Sequence, residues 1–200
     1  MRHLAGGGVI AYPTETVYGL GGAATPEAVA RVLRLKVREP DKPLLVLVAA
    51  RSAVAGLVWT PAAEALADAF WPGALTLVLA DPDGIFPRGV RHERTGAVGV
   101  RVSPHPWIAR LVEAWGGPIT STSLNEPGGP PARSGSDALA FAERLDGEEI
   151  LVIDTGTLPP SKPSTMVDCS GTVPVVLRAG SVPVERLRCV IPEIHERPPA

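Results

Sequence analysis

The sequence predicts an α/β protein built on a twisted, mixed sheet flanked by helices. Strand-like apolar runs alternate with helix-like patterns as far as Leu145, and the remaining strand signals then crowd together. That order favours a mixed sheet over a purely doubly wound one. Composition agrees, with 45% apolar residues but only 4% aromatic, 22 prolines and 21 glycines. This is the profile of an Ala/Val/Leu-rich core joined by punctuated loops. At 200 residues the chain reads as one domain over 1–190, with 191–200 as a frayed tail from about Pro192.

The first strand covers Val9 to Ala11 and runs into Pro13, which has no N–H and is expected to leave the ladder there. Thr25 and Pro26 give the next signal, an N-cap followed by proline at the first helical position. Ala28, Val29, Val32, Leu33 and Leu35 supply the apolar face of that helix to about Val37, and Pro40 and Pro43 end it. Leu44 to Val48 is an apolar run of strand length. Thr60 and Pro61 repeat the cap-plus-proline signal for a helix to Phe70, stopped by Pro72 and Gly73. Leu75 to Ala80 is a strand, and residues 81–96 form a loop rich in glycine and proline.

A strand at Val98 to Val102, a helix at Pro106 to Ala114 and a short strand at Ile119 to Ser121 follow. Asn125 to Gly135 is irregular. A helix over Asp137 to Leu145, capped by Ser136, leads to strands at Ile150 to Asp154, Met166 to Asp168 and Val173 to Leu177.

Several function classes are excluded. No apolar run approaches the roughly 18 residues of a membrane span, and the N-terminal apolar stretch is too short for a signal peptide. Cys169 and Cys189 have neither metal-ligand spacing nor disulfide density, so a reducing cytoplasm is expected. His3, His92, His105 and His195 are scattered, and no metal site is expected. A net charge of −2 argues against non-specific nucleic-acid binding. There is no Walker A pattern. Gly19, Gly21 and Ala24 fit G-x-G-x-x-A, but Pro13 and several polar residues separate them from the strand that a dinucleotide site requires.

The most informative stretch is Tyr12 to Gly21. There Thr14, Glu15, Thr16 and Tyr18 sit against Gly19 and Gly21, a composition able to recognise a small polar ligand where backbone comes close. Lys36, Arg38 and Lys42 lie just past a helix end. They either complement the helix C-terminus or converge on an anion. Arg101 at a strand end can pair with a structural carboxylate or hold a ligand anion. Ser121, Ser123 and Asn125 form either a serine-rich turn with a local Asx bond or a polar contact surface.

These segments, with Pro72 to Leu77, Val98 to Pro106, Pro163 to Asp168 and Leu177 to Gly180, resemble in order the motifs of the YrdC/TsaC family of threonylcarbamoyl-adenylate synthases. The resemblance spans residues 7–182 and implies the YrdC-like fold, a twisted open mixed sheet with helices around a concave positive face. It implies formation of threonylcarbamoyl-AMP and pyrophosphate from L-threonine, bicarbonate or CO2, and ATP with Mg²⁺. By resemblance, Lys36, Arg38 and Lys42 are catalytic, and Arg38, Lys42, Ser123, Asn125 and Arg178 bind ATP. Thr16, Arg101, Ser121 and Ser164 face threonine, with Arg101 holding its carboxylate.

The product is expected to pass to a downstream tRNA-modifying complex, with a weak tRNA contact and no membrane partner. The chain resembles the short, single-domain form. Departures from the family pattern are Leu47, where many members have histidine, Ala97, Glu39, Leu124 and Pro127. Leu47 is expected to border the threonine side chain. The alternative function is an RNA-binding or ribosome-associated module of the same fold. Relatives that handle another carbamoyl adenylate in hydrogenase maturation normally carry further domains.

Overall fold

A computed structural model of the chain describes residues 1–36, 42–126, 128–145 and 149–197. The strands are β1 (Val9–Pro13), β2 (Tyr18–Gly21), β3 (Leu45–Leu47), β4 (Leu75–Ala80), β5 (Ala97–Arg101), β6 (Ile119–Ser123), β7 (Ile150–Val152), β8 (Thr165–Asp168), β9 (Val175–Arg178) and β10 (His195–Glu196). The helices are α1 (Arg2–Ala5), α2 (Pro26–Lys36), α3 (Pro61–Phe70), α4 (Pro106–Trp115), α5 (Gly135–Glu143) and α6 (Val184–Arg188). The strands form one open sheet in the order β10-β9-β8-β4-β5-β3-β6-β2-β1-β7. Pairing is mixed: β3 runs parallel to β5 and antiparallel to β6, and β4 antiparallel to β5 and parallel to β8.

Strand alternation sorts the side chains onto two unequal faces. On one face Val9, Leu20, Val46, Leu75, Leu77, Val98, Val100 and Val167 meet α2, α3, α5 and α6 through Val29, Leu66, Phe141 and Leu187 in the main core. On the other face Ile10, Tyr12, Leu47 and Ile119 meet α1 and α4 through Leu4, Ile108 and Val112 in a smaller core. Beyond that smaller core the second face carries Gly19, Gly99, Thr76, Ser121 and Arg101, residues too small or too polar to seat a helix. A cleft lies there.

Helix starts follow the sequence closely. The Thr60 side chain accepts from the Ala63 amide, with Pro61 opening α3. For α5 the cap is Ser134 and not Ser136: Ser134 accepts from the Asp137 amide while Asp137 returns a bond to the Ser134 N–H. This reciprocal box satisfies two otherwise orphaned donors, so α5 starts earlier than the apolar pattern indicates. Ser134→Ala should cost about 1 kcal/mol of stability in urea unfolding; no change would remove the capping box as a stabilising element.

Other differences have local causes. Pro13 stays in β1, opposite Tyr18, as the last residue before the hairpin turn where its missing N–H is tolerated. β2 was not legible as a strand because of its glycines, and the packing requires them. A Cβ on Gly21 would stand 1.7 Å from the Thr120 carbonyl oxygen, and one on Gly19 would meet Ser121 Oγ and the Tyr12 ring at 3.2 Å. Where a frayed end was expected, Ile194 is buried and His195–Glu196 pair with β9.

Candidate active site

A cleft of ≈ 290 Å³ opens on the second face. The β1–β2 turn supplies Thr14 and Thr16, β5 supplies Arg101, and β6 supplies Ser121 and Ser123. The segment entering β8 brings Ser164, and β9 ends on Arg178. Val17, Leu45, Pro131 and Met166 give the cleft an apolar component. Residues separated by most of the chain meet because the sheet order sets β5, β3 and β6 side by side between β8 and β2.

Arg101 is the buried charge of the site, only 4% exposed. Its Nη1 donates to Glu15 Oε1 at 2.8 Å and reaches Thr16 Oγ1 at 3.5 Å. Ser103 Oγ donates to the other carboxylate oxygen of Glu15. The ion pair thus ties the β1–β2 turn to the segment after β5. Arg101 Nε is buried and has no acceptor among the described residues, since all the side-chain bonds of Arg101 leave from Nη1. Among the described residues nothing accepts from the Nε/Nη2 edge, the fork that can grip a carboxylate with two parallel bonds.

Arg178 is the second cation. Its Nε donates to the Ser164 carbonyl and its Nη2 to Ser164 Oγ, both at 3.1 Å. Burial, and secondarily the neighbouring charge of Arg101, lowers its pKa from the ordinary guanidinium value. It remains cationic, because the ordinary value is so high. Two guanidinium groups thus face one cleft whose nearby carboxylate, Glu15, is already bonded to Arg101 and Ser103. The excess positive charge in a confined site suits an anion. Beneath the cleft, burial raises the Tyr12 phenol above its usual value, and its hydroxyl donates to the Thr120 carbonyl at 2.9 Å. Tyr12 is a neutral floor and not a base.

Among the residues singled out from sequence, Thr16, Arg101, Ser121, Ser123, Ser164 and Arg178 all line this cleft. Lys36 and Asn125 form a cluster beside it. Lys36 Nζ donates to Asn125 Oδ1 at 2.9 Å and to the Asn125 carbonyl, and Ser123 Oγ donates to the same Oδ1 at 2.7 Å. Asn125 Nδ2 in turn holds the Glu126 and Gly129 carbonyls, each at 2.9 Å. Lys42 directly precedes Pro43, which lines the cleft. Arg38, like Glu39, lies outside the described residues, and so does Pro127.

Leu47 does not border the cleft. It is 1% exposed in the smaller core against α4, one residue pair along β3 from Leu45, which does line it. Ala97 begins β5 opposite Ala80 and is also absent from the lining. Sequence reasoning missed Glu15 as the partner of Arg101, and missed Thr76, whose Oγ1 lies 2.9 Å from Ser164 Oγ. A lone carboxylate within Tyr12 to Gly21 was the available signal for Glu15; for Thr76 it was the motif-like run Pro72 to Leu77.

Among the described residues no group of three or more His, Cys, Asp or Glu is placed to hold a metal ion. No helix there is long and apolar enough to cross a membrane.

Comparison with known proteins places this geometry in context. A family model named Sua5, YciO and YrdC, described as telomere recombination, matches residues 2–180. The threonylcarbamoyl-AMP synthase of Bacillus subtilis (strain 168) is 38% identical over 192 residues, covering 94% of this chain and 54% of that protein. The threonylcarbamoyl-AMP synthase of Stenotrophomonas maltophilia (strain K279a) is 44% identical over 172 residues, covering 80% of this chain and 87% of that protein. A crystal structure of Pyrococcus abyssi Sua5 complexed with L-threonine superposes with a TM-score of 0.88 at 35% identity, covering 98% of this chain and 57% of that one. The chain thus spans little more than half the length of the Bacillus and Pyrococcus proteins.

Proposed function

The chain belongs to the Sua5/YciO/YrdC family, and we propose that it is a threonylcarbamoyl-AMP synthase, joining L-threonine, CO2 or bicarbonate, and ATP with release of pyrophosphate. The observation that carries this reading is buried Arg101, which lines the cleft and whose Nε has no acceptor among the described residues. A guanidinium fixed by Glu15 through Nη1 and with donors left over is preorganised for a carboxylate, so little is lost in ordering it when the ligand arrives. The Pyrococcus structure, whose title names L-threonine, supports an amino acid as the source of that carboxylate.

Held by its carboxylate, threonine presents its amine to the cleft near Thr16, Ser121 and Ser164. The neutral amine attacks CO2 and loses a proton, giving a carbamate. A carbamate oxygen then attacks the α-phosphorus, the bond to the bridging oxygen breaks, and pyrophosphate leaves. Among the described residues no His, Asp, Glu or Lys lines the cleft, and in this reading the proton is assigned to solvent. Catalysis rests on positioning and on charge neutralisation. Arg178 faces the region where that charge builds, Ser123 and Asn125 border it, and Lys36, Arg38 and Lys42 act on the phosphates. Mg²⁺ fits as the counter-ion of the triphosphate, with phosphate oxygens and water as its ligands and no carboxylate cluster of the protein required.

In this reading the product serves a cytoplasmic tRNA-modifying complex. The RNA-module alternative is weaker, because among the described residues no aromatic side chain lines the cleft to stack on a base. The test is pyrophosphate release by the purified chain. Release should require L-threonine, bicarbonate and Mg·ATP together, and should fall to background when any one is omitted. No release with all three present would sink the assignment.

A further inference from the structure

On one side of the cleft Thr14 Oγ1 is saturated by backbone: it donates to the Val17 carbonyl at 2.7 Å and accepts from the Thr16 and Val17 amides at 3.2 and 3.3 Å. Its approach to Thr16 Oγ1 at 3.0 Å therefore does not fix which way the Thr16 hydroxyl points.

On the opposite wall the direction is forced. Thr76 is fully buried, and its hydroxyl has Ser164 Oγ, at 2.9 Å, as its only partner among the described residues. If Ser164 gave its proton to Thr76, the Thr76 proton would be buried with no acceptor, a cost comparable to a lost hydrogen bond. Thr76 therefore donates. Ser164 Oγ also receives Arg178 Nη2 at 3.1 Å, so both of its lone pairs are occupied. Its own proton is left to face the cleft.

We propose that Thr76 is a positioning residue that makes Ser164 an obligatory hydrogen-bond donor to a substrate oxyanion. Resting on the synthase reading above, an anionic oxygen then belongs at the Ser164–Arg178 end of the cleft. The shared chemistry at Ser164 is an oxyanion, which either the amino-acid-derived portion or a phosphate of the nucleotide can supply.

The test compares Thr76→Val, which keeps shape and removes the hydroxyl, with Thr76→Ser, which keeps the hydroxyl. Steady-state pyrophosphate release is measured with threonine and ATP varied separately. Thr76→Val should raise one KM by roughly three- to tenfold, the effect of one neutral hydrogen bond, while Thr76→Ser stays within about twofold of the wild type. A rise confined to KM for threonine identifies the amino-acid portion, and one confined to KM for ATP a phosphate.

A Thr76→Val/Ser164→Ala double variant should match Ser164→Ala alone, because Thr76 acts only through Ser164. Should Thr76→Val fail to fold, Thr76→Ala carries the same comparison. Equal losses in the Val and Ser variants would assign the effect to packing and overturn the proposal, as would additive losses or wild-type kinetics in Thr76→Val. A wild type without activity would instead fault the synthase reading, so the two failures are distinct.

Discussion

Arg101→Lys should lower kcat/KM for threonine-dependent pyrophosphate release by roughly 30- to 150-fold, an effect of about 2–3 kcal/mol, while the chain stays folded. Lysine keeps the positive charge and can still pair with Glu15, so the turn carrying Thr14 and Thr16 remains anchored. What it loses is the Nε/Nη2 edge, whose two charge-assisted bonds no ammonium can reproduce in parallel. Arg101→Ala should be worse in a different way. Glu15, with its side chain 18% exposed, would keep only Ser103 as a partner. Breaking one side of such a largely buried pair costs about 3–5 kcal/mol, so this variant should also lose stability in urea unfolding. A lysine variant with wild-type KM for threonine would mean that the open edge of Arg101 does not hold the carboxylate.

The parts of the fold legible in the sequence are those where local chemistry and tertiary demand agree. Thr60 with Pro61 and the apolar run Leu75 to Ala80 gave α3 and β4 with their observed ends. β2 was illegible because Tyr18–Gly21 has poor strand propensity, and the requirement for glycine comes from Thr120, a residue nearly a hundred positions away. The α5 cap was readable in principle, since Ser134 and Asp137 have the capping-box spacing; the nearer Ser136 was the wrong choice.

The site divides in the same way. Motif resemblance selected Thr16, Arg101, Ser121, Ser123, Ser164 and Arg178, and all of them line one cleft. Spacing alone could not have assembled them, because they come from separate strands and turns. The partners that orient them, Glu15 for Arg101 and Thr76 for Ser164, were not found. Their roles exist only across strand pairs, and a buried threonine in an apolar strand looks like ordinary packing.

Leu47→Ala should destabilise the chain by about 2–5 kcal/mol, the range for truncating a large buried aliphatic side chain, and leave the threonine-to-serine activity ratio unchanged. Leu47 packs with Ile10, Tyr12, Ile108 and Ile119, and the cavity would open between the sheet and α4, away from the ligand. Total activity should still fall. Leu47 stands in register with Arg101 across the β3–β5 pair, and Tyr12 in the same cluster packs close to Gly19 on the cleft floor. Threonine and serine differ by one methyl, worth roughly 1–3 kcal/mol in a fitted apolar pocket. The side chains placed to read it are those of the lining, Val17, Leu45 and Met166. Leu45→Ala should therefore narrow the ratio at a smaller stability cost, since Leu45 is only partly buried. Pyrophosphate release with each amino acid, set beside urea midpoints for both variants, separates the two effects. A narrowed ratio in Leu47→Ala with an unchanged one in Leu45→Ala would mean that Leu47, and not the cleft lining, reads the methyl.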